Sequence, residues 1–397
     1  MPDEDNPPFP LIETVPATTG CQEIDPTRST VVTVIRICLL CLFVCHPVWG
    51  AGQDTPAQLN EYFAKICQSK SFMGVVSVSV HDKTIFSDAC GWADAEWNIK
   101  NTPETRFRTG SIAKQFTAAS VLLLYQDGKL SLSDPIGKYL PDLPESWKTA
   151  TIHQLLTHTS GIPIPNYYDP EVEKRFPLGP TPTDMLELSR DKPLNFPHGT
   201  KTAYNNMGYF VLGFLIERLS GMKFPQFVQQ RIFDRLEMGD SGLDDISKVI
   251  PRRASGYSLV NGELRNVEPL SAGASAWSAG GFYSTTHDLT VWSEALAHEK
   301  LLNADSTARM FKIYPETELE GMHYGYAIVL ANRFGHPLQY HGGGIKGFTS
   351  VLQRYPDVGS VIVVLSNLDG DSSNPPPTQS WDLGNSLAQI WFHSGSK

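Results

Sequence analysis

The sequence predicts an α/β protein of the α+β type, with an antiparallel sheet built from both chain ends, flanking helices and an inserted all-helical lobe. Strand patterns occur near the start, at 76–90, and return only after about residue 320. Between them, from about 111 to 250, lie segments with apolar residues at helical spacing. Strands, then helices, then strands again indicate one sheet to which both ends contribute.

A helix and a hairpin are the first predicted elements. Thr55 and Pro56 form the N-cap and first-turn pair of a helix, and apolar residues repeat at helical spacing until about residue 69. Valines alternate with serines at 76–80, which is the period of a half-buried strand. The turn at 81–83 then returns the chain through a second strand at 84–90.

The central helix is predicted at 111–125, where the chain is apolar almost all round until Gly128 ends it. Such a helix is buried at the centre of its lobe. Further helices are predicted at 207–219 and 224–236, and late strands at 324–331, 339–341, 349–355 and 360–366.

One catalytic domain is expected at 51–397. Its sheet lobe is assigned to about 55–108 and 260–397, and its helical lobe to about 109–259.

Residues 1–50 are predicted to be a leader that carries an export signal. An apolar run at 37–44 follows Arg36, and small residues near Ala51 lie where a signal peptidase could cut. An uncleaved membrane anchor is the weaker alternative, because Arg36 and His46 interrupt the apolar stretch. Residues 1–29 are acidic where a signal begins basic, which favours a translation start near residue 32 or 34.

Composition limits the function classes. The chain has 397 residues, 41% of them hydrophobic, and a formal net charge of -10. No run of Lys and Arg is present to neutralise phosphates, so we expect no nucleic-acid partner. The expected partner is a small-molecule or peptide substrate, with membrane contact only through the N-terminal anchor if it is retained.

Cysteine usage argues against a metal site. Of the six cysteines, only Cys67 and Cys90 lie beyond the leader, too few for a zinc cluster, and no His-Glu-x-x-His motif occurs. We therefore expect neither a metal nor another cofactor. The two thiols either pair in an oxidising compartment or stay buried and free.

A Ser-x-x-Lys spacing offers a nucleophile with its proton acceptor, since residues three apart on a helix lie on one face about 5 to 6 Å apart. The chain has this spacing at Ser111, Ser189 and Ser220. A proline or a glycine interrupts the helical pattern at the latter two. Only Lys114 lies on a strongly apolar helix, where desolvation lowers its pKa and makes it a proton acceptor for Ser111.

Two further stretches carry groups suited to such a reaction. Tyr204-Asn205-Asn206 precedes the helix at 207–219, and a phenol near a buried lysine can relay a proton while an amide holds a carbonyl group. His341-Gly342-Gly343-Gly344 lies on a late strand, and glycines there suit a backbone that a substrate must approach. Taken alone, an aromatic residue before a helix is usually a packing residue, and glycines in a strand are as typical of a β-bulge or a tight turn.

In this order, the three stretches resemble the serine β-lactamase and penicillin-binding protein family, in the branch of class C β-lactamases, D-alanyl-D-alanine carboxypeptidases and related esterases. The resemblance extends from about residue 72 to 367. It includes the stretches Arg-Phe-Arg-Thr-Gly-Ser-Ile-Ala-Lys-Gln-Phe-Thr at 106–117, Leu-Leu-Thr-His-Thr-Ser-Gly-Ile at 155–162 and Ser-Ala-Gly-Gly-Phe-Tyr-Ser-Thr at 278–285. It implies a β-lactamase/transpeptidase-like fold.

The resemblance also implies the roles of the candidate residues. Ser111 would be acylated, Lys114 and Tyr204 would exchange its proton, and Tyr204 would also assist the water that deacylates it. The substrate would be bound by the side chain or backbone of Asn206, His341, Gly342 and Gly343. The oxyanion hole would consist of the backbone N–H groups of Ser111 and Gly344.

The third stretch departs from the pattern of many family members, which have Lys-Thr-Gly or Lys-Ser-Gly. Here His341 replaces the cation and Gly342 removes the hydroxyl. A neutral histidine cannot give a substrate carboxylate the charge-assisted bond that lysine gives. The expected acyl donors are a β-lactam, a D-alanyl peptide or a short-chain ester, and the departure favours the ester.

Two alternatives stay open. One is a Ser-His-Asp hydrolase using His158, His287 or His341 with Asp288 or another carboxylate, although no Gly-x-Ser-x-Gly elbow is present. The other is a catalytically silent member of the fold that binds cell-wall peptide or a partner protein, which would have no need of a desolvated lysine beside a serine.

Overall fold

A computed structural model describes residues 55–165, 170–267, 275–317, 322–370 and 378–394. The predicted leader at 1–50 lies outside them. A search of the described helices for an apolar stretch of membrane-spanning length finds none.

The strands, in chain order, are β1 Gly74–Val80, β2 Lys83–Cys90, β3 Trp92–Asp94, β4 Ile99–Lys100, β5 Phe107–Arg108, β6 Gly242–Leu243, β7 Tyr257–Val260, β8 Glu263–Asn266, β9 Phe282–Ser284, β10 His323–Tyr324, β11 Val329–Arg333, β12 His336–Ile345, β13 Phe348–Tyr355, β14 Ser360–Ser366 and β15 Leu368–Asp369.

The helices are α1 Thr55–Gln68, α2 Lys114–Gln126, α3 Ile152–Leu156, α4 Pro170–Arg175, α5 Pro182–Ser189, α6 Asn206–Ser220, α7 Phe224–Val228, α8 Trp277–Gly280, α9 Thr286–Ala297, α10 Ala304–Met310 and α11 Ser380–Ser394. Short 3₁₀ turns lie at Gly110–Ala113, Ile136–Lys138, Glu145–Trp147 and Pro315–Thr317, and a π-helical turn at Gln229–Phe233.

The main sheet has the strand order β10-β11-β12-β13-β14-β1-β2. Its neighbouring strands are antiparallel, including the β1–β14 pair that joins the two chain ends. The prediction of an antiparallel sheet built from both chain ends, with helices between, is therefore confirmed.

Both faces of the sheet are covered, and the central strand β14 shows it. All seven of its residues are buried, because successive side chains point to opposite faces. Val361, Val363 and Leu365 pack into the core formed with the helical part of the chain. Ile362 and Val364 pack on the other face with apolar residues of α1 and α11. The helical core therefore packs against one face of the sheet, and the predicted catalytic residues lie on this side.

The predicted central helix divides into two parts. Gly110–Ala113 forms a 3₁₀ turn, and α2 proper begins at Lys114 and ends at Gln126. The first eleven residues of α2 are all buried, as the apolar pattern predicts. Because a 3₁₀ helix has three residues per turn, the side chains of Ser111 and Lys114 come to lie above one another.

Other predicted boundaries need correction. The strand predicted at 324–331 is instead a hairpin of β10 and β11. In the turn between them, a Cβ on Gly325 would lie 2.4 Å from the Met310 carbonyl oxygen, and Ala327 has a positive φ of 59°. The helix predicted at 224–236 stops at Val228 and continues as a π-helical turn.

Cys67 and Cys90 form a disulfide with their Cα atoms 5.8 Å apart. The bond ties the last turn of α1 to the end of β2. Of the two states that the sequence left open for these thiols, the structure has the paired one.

Candidate active site

Ser111 and Lys114 are in direct contact. The Lys114 Nζ donates a hydrogen bond to the Ser111 Oγ at 3.0 Å and a second to the Ala279 carbonyl oxygen at 2.6 Å. Ala279 lies on α8, which the chain brings behind α2 from far along the sequence. These two hydrogen bonds fix the Lys114 amine in contact with the Ser111 hydroxyl.

Lys114 is fully buried, with a relative exposure of 0%. Burial lowers the pKa of its ammonium well below the ordinary value of 10.5, because a charged amine loses its hydration there. Within the described part of the chain, no Asp or Glu forms an ion pair with it. A buried amine in this state can accept a proton from a neighbouring hydroxyl.

Tyr204 stands beside the lysine. The Lys114 Nζ lies 4.8 Å from the centroid of the Tyr204 ring. Asn205, the next residue, caps α6 by accepting a hydrogen bond from the Met207 N–H at 2.7 Å. Asn206 is the first residue of α6 and is partly exposed. This hydrogen bond fixes Asn205 at the start of α6. The predicted proton relay Tyr204 and the predicted substrate-binding Asn206 are the residues on either side of it.

The glycine strand forms a sheet edge beside the serine. β11 pairs with β12 only from His336 to Tyr340, whereas β13 pairs with the other side of β12 as far as Ile345. The stretch from His341 to Ile345 therefore has one edge without a strand partner among the described residues. An extended substrate can pair with such an edge.

Glycine is required where this strand meets the turn that carries Ser111. A Cβ on Gly343 would lie 2.0 Å from the Thr109 carbonyl oxygen and 3.0 Å from the Ser111 N. Gly110 has a φ of 51°, and a Cβ there would lie 2.8 Å from the Gly344 N. The backbones that carry the predicted oxyanion N–H groups, those of Ser111 and Gly344, thus pack against each other.

His341 is buried, with a relative exposure of 1%. Its Nδ1 lies 2.5 Å from the Gly342 carbonyl oxygen, so the hydrogen is on Nδ1, and Nε2 accepts from the Tyr324 hydroxyl at 2.9 Å. Burial and the nearby Lys114 lower the pKa of His341 to about 3. The ring is neutral and contacts the ring of Tyr204, with centroids 6.2 Å apart.

Sequence reasoning missed some residues that shape the site. The Ala279 carbonyl comes from a segment 165 residues away, and no local pattern shows that it receives Lys114. Tyr324 was predicted only as part of a strand. Ala279 was part of the family-like stretch at 278–285, which gave no sign of its contact with Lys114.

For His158 and His341, the Ser-His-Asp alternative finds no support in the geometry. The Asp288 carboxylate accepts hydrogen bonds from the Asp240 N–H and the Ser241 hydroxyl. His158 Nδ1 accepts the Asn205 N–H, and His341 Nε2 accepts the Tyr324 hydroxyl. Within the described ranges, neither histidine is therefore oriented by a carboxylate.

Comparison with known proteins places the chain in a family. A model of the Beta-lactamase family matches residues 59–383. The chain is 27% identical over 321 residues to PbpX of Bacillus subtilis, a penicillin-binding protein by its name, covering 80% of this chain and 75% of that one.

Solved structures share the fold. A penicillin-binding protein from Bacillus halodurans superposes with a TM-score of 0.73 at 28% identity, over 83% of this chain and 99% of the other. A D-stereospecific amidohydrolase from Streptomyces gives a TM-score of 0.68 at 25% identity, over 80% and 96% of the two chains. With a match that extends over most of its length, this chain belongs to the Beta-lactamase family.

Proposed function

We propose that the protein is a serine hydrolase that cleaves an ester or amide through an acyl-enzyme on Ser111. The observation that carries the proposal is the 3.0 Å contact between the Ser111 Oγ and a fully buried Lys114 that has no carboxylate partner among the described residues. A binding protein would gain nothing from this arrangement, which costs stability.

The reaction follows from the positions of these groups. Lys114, with Tyr204 as relay, takes the proton from the Ser111 hydroxyl as Oγ attacks the acyl carbon. The backbone N–H groups of Ser111 and Gly344 stabilise the negative charge on the acyl oxygen. The proton passes through Tyr204 to the leaving alcohol or amine. Water then attacks the acyl carbon and gives a proton to the same relay. The relay returns this proton to the Ser111 Oγ as the bond to the acyl carbon breaks and the carboxylic acid leaves.

The preferred substrate lacks a carboxylate next to the scissile bond. Where many family members have a lysine, His341 is buried and neutral, and Gly342 and Gly343 carry no side chain. This stretch therefore offers backbone hydrogen bonds but no positive charge. A neutral ester or amide fits it better than a carboxylate-bearing β-lactam or a free D-alanyl peptide end.

The experiment compares three acyl donors with the purified full-length chain: a short-chain p-nitrophenyl ester, a D-amino acid p-nitroanilide and a chromogenic cephalosporin. We expect a burst followed by steady turnover of the ester or anilide, and turnover of the cephalosporin at least tenfold lower in kcat/KM.

Two variants control this experiment. Ser111→Ala should lose the burst and the turnover. Ser120→Ala should keep both, because Ser120 is buried on α2 and, among the described residues, its hydroxyl bonds to the Phe116 carbonyl alone. Full activity of Ser111→Ala would refute the mechanism. Faster turnover of the cephalosporin than of the ester would refute the substrate preference alone. Substrate binding without any turnover would favour the catalytically silent alternative.

We also propose that the protein is exported. The Cys67–Cys90 disulfide supports this, because such bonds persist in oxidising compartments. Fractionation of the native host should find the protein outside the cytoplasm, and a cytoplasmic pool with free thiols would contradict the proposal.

A further inference from the structure

His158 holds the residues on both sides of Tyr204. It follows α3, is 2% exposed and has a left-handed φ of 59°, which is unusual for a residue other than glycine. Its backbone carbonyl accepts a hydrogen bond from the Ala203 N–H at 3.0 Å. Its side-chain Nδ1 accepts one from the Asn205 N–H at 3.1 Å. The loop that presents Tyr204 is thus bonded to a single residue before and after the phenol.

The imidazole ring also packs against the phenol itself. The ring centroids of His158 and Tyr204 are 4.4 Å apart, and those of Tyr324 and Tyr209 lie 4.6 Å and 5.1 Å from His158. Tyr204 meets the Lys114 ammonium as well. The phenol therefore contacts the buried imidazole and the buried amine at the same time.

The hydrogen bond from Asn205 fixes the tautomer of His158. Because Nδ1 accepts, the hydrogen of the neutral ring is on Nε2. Nε2 is buried and has no hydrogen-bond partner within the described part of the chain. Burial and the nearby Lys114 and His341 lower the pKa of His158 well below 6.5, so the ring adds no charge beside the lysine. A buried N–H without an acceptor is costly and therefore calls for an explanation.

We propose that His158 is a positioning residue of the reaction, which fixes Tyr204 against Lys114 and directs an N–H dipole into the pocket of phenols where negative charge develops during proton transfer. The proposal rests on the proposed function, since it assigns Tyr204 the proton relay. The other titratable groups that face this pocket are Lys114 on α2, Tyr209 on α6, Tyr324 on β10 and His341 on β12. Removing the dipole should make the phenolate harder to form.

Two substitutions separate the role of the acceptor from that of the ring. His158→Phe keeps an aromatic ring but removes both nitrogens. His158→Asn keeps an acceptor near the position of Nδ1, and asparagine tolerates the left-handed backbone. His153→Phe is the matched control, because His153 lies on α3 and contacts the rings of Tyr314 and Tyr326 away from Lys114.

The measurement is kcat/KM for the p-nitrophenyl ester from pH 5 to pH 10, with thermal melting of each variant. We expect His158→Phe to lower kcat/KM by about 10- to 100-fold, the size typical of a displaced catalytic group. We also expect it to move the midpoint of the alkaline rise upward by about one pH unit. His158→Asn restores the acceptor but not the Nε2 N–H, so it should recover part of the rate and keep the raised midpoint. His153→Phe should match the wild type.

The outcomes distinguish this proposal from the proposed function. If Ser111→Ala stays active, the proposed function has failed. If Ser111→Ala is inactive and His158→Phe matches the wild type in rate and pH midpoint, only the role of His158 is refuted. A loss of rate without a shift of the midpoint would also refute it, since that indicates a merely structural residue. If His158→Phe does not fold, His158→Gln replaces it, and equal rates for His158→Gln and His158→Asn would overturn the proposal.

Discussion

Asp244 and Lys114 are both fully buried, yet their surroundings differ. Asp244 forms ion pairs with the Arg108 Nε at 2.6 Å and the Arg253 Nη1 at 2.8 Å. Lys114 contacts a hydroxyl and a carbonyl instead, and no carboxylate of the described residues pairs with it. Arg108 lies only three residues before Ser111, so the two arrangements occur in neighbouring parts of one fold.

The difference separates a buried charge that supports the fold from one that suits the proposed chemistry. A buried charge is costly unless it is paired, and proteins pair those that only hold structure. An unpaired amine tends to become neutral, and a neutral lysine beside a serine is a base. The lack of a counter-charge around Lys114 therefore supports the proposed function. The paired charges around Asp244 support strand β5, which precedes Ser111.

The largest effect should follow from Lys114→Met, which fills the same space without the amine. We expect kcat/KM to fall about 10³- to 10⁴-fold, because general-base assistance of the serine is lost. Stability should stay equal or increase, since no buried amine then has to be desolvated. Ester turnover and chemical denaturation measure the two quantities. Lys129→Met, at an exposed lysine on the far side of α2's C-terminus, should change neither. Loss of stability in parallel with activity would show that Lys114 is structural.

Asp244→Asn tests the region in which the buried charge of Asp244 is paired. It leaves the side chains of Arg108 and Arg253 without their shared counter-charge, so we expect the free energy of unfolding to fall by about 3 kcal/mol. The kcat of the protein that remains folded should stay within about threefold of wild type. Urea denaturation followed by tryptophan fluorescence gives the first value. An unchanged midpoint would mean that the ion pairs contribute little.

The two regions also differ in how far sequence could predict them. The apolar pattern at 111–125 predicted that Lys114 is buried, and the three family-like stretches named the residues around it. No pattern could show that Asp244, more than 130 residues from Arg108, pairs with it, because such a contact depends on tertiary packing. The same holds for the Ala279 carbonyl that receives Lys114.

Predictions of secondary structure failed where the tertiary surroundings override local preference. Residues 111–113, which lie in the 3₁₀ turn Gly110–Ala113, were predicted as the start of an ordinary helix because their apolar pattern continues into α2. The turn between β10 and β11 depends on a close approach of Gly325 to α10, which sequence cannot show. The sheet itself was predictable, because its strands alternate or run apolar in short segments at both ends of the chain.

Protonation adds a test of intermediate size. The pKa of Lys114 is lowered on folding, so between that lowered pKa and 10.5 the unfolded chain binds one more proton than the folded protein. Stability contributed by this group should therefore rise with pH across that window. We expect the wild type to gain stability relative to Lys114→Met from pH 7 to pH 10, measured by urea midpoints. Parallel curves for the two proteins would show that Lys114 keeps its ordinary pKa.

The smallest effect is expected at Glu294, where two like charges meet. Glu294 is 8% exposed on α9, and burial together with Asp82 raises the pKa of its carboxyl to about 7 from an ordinary value of 4.5. The folded protein then holds this proton to higher pH than the unfolded chain does, so the contribution to stability falls as pH rises from about 4.5 to about 7. The slope is opposite to that of Lys114, because folding raises the pKa of Glu294 and lowers that of Lys114.

Glu294→Gln keeps the shape of the side chain and removes the titration. We expect its melting temperature to exceed that of the wild type by about 2 °C at pH 8 and to match it at pH 4, a shift that corresponds to roughly 1 kcal/mol in a domain of this size. Glu299→Gln, at an exposed glutamate just beyond α9, serves as the control and should follow the wild type at both pH values. If Glu294→Gln gains nothing at pH 8, then Arg354 and Lys300, which favour the charged carboxylate, balance Asp82. The charge of Glu294 would then be compensated by its neighbours, as that of Asp244 is. Of these three buried groups, Lys114 would be the one without a compensating charge among the described residues.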